Sequence, residues 1–121
     1  MTATKAQKTL ESSAYIDDEV TALVNIVGVE ARVKPERILG RSREWEVATA
    51  RQCVYCVLYN RGWTVSQIGR AMNRDHSCII YGIRALNDRY GQRGQRMTTS
   101  LMNRLNEAGH SPLIDEAIQG R

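Results

Sequence analysis

Residues 73–82 read NRDHSCIIYG and set an acid, an imidazole, a hydroxyl and a thiol side by side: Asp75, His76, Ser77 and Cys78. Such groups are the parts of a nucleophilic triad, of a metal site, or of a surface that reads another molecule. A triad needs side chains converging from different elements, so adjacent residues do not build one. The chain has one other histidine, His110, and no G-x-x-x-x-G-K-[ST] phosphate loop. No enzymatic activity is expected. For a metal, Cys53 and Cys56 form C-x-x-C, and with His76 and Cys78 the ligand count suits tetrahedral zinc. The pair, however, lies in the apolar run QCVYCVLY of a predicted helix. His76 and Cys78, two apart on a helix, point about 200° apart. Buried core thiols account for all three cysteines more simply, and neither a metal nor a cofactor is expected.

The remaining reading, a reading surface, depends on the elements around these residues. Thr64 precedes Gln67 at the spacing of a capping box, which starts a short helix from Val65 to about Met72. Asn73-Arg74 makes a brief turn, and Asp75 caps a second helix running to about Arg89 with Ile79, Ile83 and Leu86 inside. His76, Ser77, Tyr81 and Arg84 fall on its other side. A short capped helix, a tight turn and a helix with a polar first turn make the layout of a helix-turn-helix. Gly69 permits the two helices to pack closely. A helix fits the major groove of B-DNA, where His76 and Ser77 can donate or accept and Asp75 can accept from a cytosine amino group. Arg70, Arg74 and Arg84 flank them and can hold phosphates. The alternative to a reading helix is an ordinary surface helix capped by Asp75.

The rest of the chain also reads as helical. Ile16, Val20, Leu23, Val24 and Val27 form one stripe, with Asp17, Asp18 and Glu19 in a first turn and Gly28 near the end. Pro35 opens a short helix closed by Gly40, and RSRE (41–44) is a loop. Glu46 to Asn60 is a longer helix, GQRGQR (91–96) a flexible basic hinge, and a helix near 99–108 buries Leu101, Leu105 and Ala108. Ser111-Pro112 can begin a last helical turn. The expectation is an all-α domain of five to seven helices over 15–108, a flexible leader over 1–14, and a tail or short helix over 109–121.

At 121 residues with 42% hydrophobic and 25% charged residues, the chain can hold one core. No apolar run approaches the roughly 18 residues that span a bilayer, and the N-terminus lacks a signal-peptide core. A cytoplasmic, nucleoid-associated protein with reduced thiols is expected. The net charge of +4 is unevenly spread. Residues 32–96 carry 13 basic and 5 acidic side chains, a net of +8, while the flanks are net acidic. Of the 17 basic residues 14 are Arg, whose planar fork suits phosphate and guanine. Double-stranded DNA is therefore the expected partner. A second reading is an interaction module, in which the acidic N-terminal helix or the apolar C-terminal helices (Leu101, Leu105, Leu113, Ile114, Ile118) bind a protein or a second copy as a homodimer.

The stretches IVGVEARVKPERILG and ATARQCVYCVLYNRGWTVSQIGRAMNRDHSCIIYGIRAL resemble the C-terminal DNA-binding domain of the bacterial DnaA replication initiators, from about Leu23 to Glu107. RDHS followed by an apolar pair is the most specific element, resembling that family's Arg-Asp-His-Thr-Thr signature. The resemblance implies base contacts by Asp75, His76, Ser77 and Cys78 in the major groove, and by Arg43 in the adjacent minor groove. It implies phosphate-backbone contacts by Arg51, Thr64 and Arg74. Arg41, Ser66, Arg70, Tyr81 and Arg84 complete the expected backbone set. Cys78 stands where the family has a second threonine, Ser66 where it has proline, and Glu44 and Glu46 add acid to a usually basic loop. The initiator's nucleotide-binding motor domain is absent from the chain. A stand-alone regulator of transcription or replication, encoded by a phage or mobile element, is the implied role.

Overall fold

A computed structural model describes residues 5–114, with side chains from Asp18 onward. Its six helices are α1 (Lys5–Ala31), α2 (Pro35–Leu39), α3 (Trp45–Asn60), α4 (Val65–Met72), α5 (His76–Arg89) and α6 (Arg96–Glu107). No strand occurs among the described residues, so the protein is all-α, as its periodicity predicts. α1, α2, α4 and α5 pack on α3, and α6 packs on α1 and α5. Val47, Ala50, Cys53, Val54, Cys56, Val57 and Leu58 of α3 are almost completely buried. A helix apolar around most of its circumference is stable only when other helices cover it. α1 covers it with Val20, Leu23, Val24 and Val27, and α5 with Ile79, Ile83 and Leu86.

α1 begins at Lys5, well before the apolar stripe, because KAQKTLES is rich in good helix formers. It therefore takes in residues 5–14, expected as a leader, and places Asp17, Asp18 and Glu19 in mid-helix rather than in a first turn. Glu19 instead pairs with Arg61 at 3.1 Å. Nor does Gly28 stop the helix. A Cβ there would lie 2.7 Å from the Val33 carbonyl oxygen, so the glycine admits the returning chain. Val33 N–H donates to the Gly28 carbonyl at 2.9 Å, and Arg32 makes the turn in the left-handed region at φ 59°.

α4 and α5 have the expected starts. Thr64 Oγ1 accepts from Gln67 N–H at 3.0 Å and Gln67 Oε1 accepts from Thr64 N–H at 2.8 Å, a complete capping box. Asn73, left-handed at φ 55°, ends α4. Arg74 N–H then donates to the Gly69 carbonyl at 2.7 Å. A Cβ on Gly69 would lie 2.6 Å from the Arg74 carbonyl, so the tight turn requires glycine. Residues 90–94 form two turns, with Gly91 and Gly94 left-handed and Gly91 N–H donating to Thr99 Oγ1 at 2.8 Å. α6 starts at Arg96, three residues before its expected position, and Ala108 is its exposed cap rather than a core residue. No helical turn forms over 111–114. Asn60 Nδ2 donates to the Ser111 and Leu113 carbonyls at 2.7 Å each, and Asn87 Oδ1 accepts from Ile114 N–H at 3.0 Å. The expected tail beyond Ile114, Ile118 included, and residues 1–4 lie outside the described residues.

Candidate nucleic-acid interface

The first turn of α5 carries Asp75, His76, Ser77 and Cys78, all exposed. Asp75 caps it, its Oδ1 accepting from Ser77 N–H at 3.3 Å. The same oxygen lies 3.2 Å from His76 Nδ1. The cap thus sets the imidazole beside the positive end of the helix. Tyr81, one turn further along, is 63% exposed.

The loop before α3 meets this turn. Arg43 lines one groove of about 640 Å³ with Ser77, Cys78 and Tyr81, floored by Ala48, Arg51, Gln52, Tyr55 and Gly82. Gly82 makes the floor close: a Cβ there would lie 2.9 Å from the Tyr55 ring. Residues distant in sequence, Arg43 and Ser77, are thereby brought to one surface. Gln52 and Tyr55 are missing from the sequence-based site, since a helix read as core gives no sign of which buried residue underlies a groove. Gly82, a glycine inside an otherwise regular helical pattern, was the available signal.

Two arginines hold that loop from beneath. Arg51 is only 8% exposed. Its Nε donates to the Ile38 carbonyl at 2.7 Å, Nη1 to Ser42 at 2.9 Å and Nη2 to Arg37 at 3.0 Å. Burial lowers its pKa, and the neighbouring Arg74 charge lowers it further. Three of the five N–H donors of Arg51 are thus held by carbonyls inside the protein, while its side chain also lines the groove. Arg74, half-buried, donates to the Gly40 carbonyl and bonds the Tyr55 hydroxyl. Burial pushes that hydroxyl's pKa up, against the pull of Arg74 and Arg51.

The acidic departures in the loop divide. Glu44 is paired with Arg37 at 2.5 Å, so its charge is met locally. Glu46 points into a different groove, described below. Arg41, Arg43, Ser66, Arg70 and Arg84 are exposed, whereas Thr64 is half-buried with its hydroxyl committed to the capping box.

Cys53 and Cys56 are buried as expected, but Cys78 is exposed, because the first turn of α5 faces away from the core. Burial pushes the Cys53 thiol up to about 12 and Cys56 well above its ordinary value. Among the described residues no group of three or more His, Cys, Asp or Glu side chains gathers at one point. The C-terminal residues expected to bind a partner are already used. Leu101 and Leu105 are buried, and Leu113 and Ile114 pack on the core. Among the described residues no helix is long and apolar enough to cross a membrane.

A family model described as the bacterial DnaA protein helix-turn-helix matches residues 20–86. The chromosomal replication initiator protein DnaA of Synechocystis sp. is 32% identical over 95 residues, covering 74% of this chain. This chain spans 21% of that relative's length. The matched segment runs from the buried stripe of α1 to the end of the α5 core, and so contains the loop, the turn and the groove.

Proposed function

Since the chain belongs to the bacterial DnaA helix-turn-helix family, we propose that it is a sequence-specific reader of double-stranded DNA. In this reading α5 enters the major groove and Asp75, His76, Ser77 and Cys78 meet base edges. Arg43, carried by the braced 40–44 loop, reaches the adjacent minor groove. Arg41, Ser66, Arg70, Tyr81 and Arg84 face the phosphates on either side, and Thr64 can still donate its hydroxyl proton to one. Arg74 shares its guanidinium between the loop and that side of the surface. The carrying observation is that Arg43 and the exposed first turn of α5 line one groove, as a protein gripping two successive grooves requires. The departures at Cys78 and Ser66 favour a target that differs from the initiators' own. Regulation of replication or transcription, in a phage or mobile element, is the role proposed for such a module.

Selection from a random duplex library tests this directly. A recurrent motif of A·T- and G·C-distinguishing positions is expected, because the major groove carries a distinct pattern for each base pair. Affinity for the selected site should fall steeply with salt, about 0.9 log units per log unit for each neutralised phosphate. A pool that never enriches would overturn the reading.

A further inference from the structure

We propose that the face formed by the end of α1, the start of α3 and α6 is an interface with a second copy of this chain. Three large apolar side chains stand out of the surface there: Val29 is 77% exposed, Met97 70% and Trp45 44%. All three line one groove of about 630 Å³, together with Arg32, Glu46, Leu101 and the paired Glu30 and Arg104. Scattered apolar residues on a surface are ordinary, but a cluster around a concavity rimmed by charge marks an interaction site. Trp and Met are the types enriched where proteins meet.

Charge selects the second copy. Arg32 and Glu46 both sit on the rim, and among the described residues neither makes an ion pair. A patch with an apolar centre and one unpaired charge of each sign is complementary to itself under a two-fold axis. Arg32 of each copy then meets Glu46 of the other, over a centre of Val29, Trp45 and Met97. The α5 turn and Arg43 line a separate groove and are left open.

Sedimentation equilibrium on the full chain without DNA, over the micromolar to millimolar range, tests the proposal independently of DNA binding. A monomer–dimer equilibrium is expected. Met97→Asp, and separately Arg32→Glu and Glu46→Arg, should each weaken it by roughly ten-fold or more. The Arg32→Glu/Glu46→Arg double variant should recover most of that loss, since the swap restores both pairs. Circular dichroism should show each exposed-site variant folded. A chain monomeric throughout would overturn the proposal. So would a dimer indifferent to Met97→Asp, or a double variant no better than the singles.

Discussion

On Asp75 two demands meet at one carboxylate: it caps α5, and in the proposed complex it also faces a base. Asn caps as well as Asp but offers an amide in place of a full charge. Asp75→Asn should therefore leave the thermal midpoint nearly unchanged while altering which base pair is preferred, measured by melting and by competition binding. Asp75→Ala should lower stability by about 1 kcal/mol as well. The capping role was legible because it depends on local sequence alone. Arg51 shows the opposite case. Its three carbonyl partners lie in α2 and the following loop, and only the folded chain brings them within reach. Arg51→Ala should cost about 2–4 kcal/mol, by denaturant unfolding, through the loss of several charge-assisted bonds. With Arg51 acting only as the brace of the loop, the variant's salt slope on DNA should match the parent's. A slope reduced by about one would instead mean a direct phosphate contact.

At the scale of elements, α4 and α5 were predictable to the residue at their starts, for Thr64, Gln67 and Asp75 announce them. α1 was not, since no cap marks Lys5 and helix propensity alone carries its early turns. Close approaches were half legible: glycines inside helical patterns signalled them, but not their partners. Gly82→Ala would drive a methyl to within 2.9 Å of the Tyr55 ring and should cost about 1–3 kcal/mol by over-packing. Gly69→Ala meets a backbone carbonyl at 2.6 Å and should be at least as damaging, because that oxygen cannot swing away. Equilibrium unfolding of both variants checks the order. Ala108 and the start of α6 were misread because apolar spacing there continues into a cap, and the Gly91 and Gly94 turns set the helix boundary.

For the whole molecule, the buried thiols tie stability to pH. Cys53 ionises near 9.0 when unfolded but at about 12 in the fold, and Cys56 is shifted the same way. Their contribution is fully present below pH 9 and is lost as pH rises from there towards 12, since only the unfolded state releases the protons. Thermal midpoints should hold level up to about pH 9 and then fall, less steeply in Cys53→Ala. Of the basic excess read from the sequence, Arg41 and Arg43 of the loop, Arg70 of α4 and Arg84 of α5 are exposed. The apolar patch on α1, α3 and α6 had no signature, because Val29, Trp45 and Met97 come from three separate segments. The central claim concerns His76 and its neighbours as readers of base edges. The most direct test is the affinity of the parent and of His76→Ala for the selected duplex and for a scrambled one, at matched salt. The parent should prefer the selected site strongly, and His76→Ala should lose about 1–3 kcal/mol there with little change on the scrambled duplex. A His76→Ala protein that keeps the full preference would contradict the assignment of α5 as the reading helix.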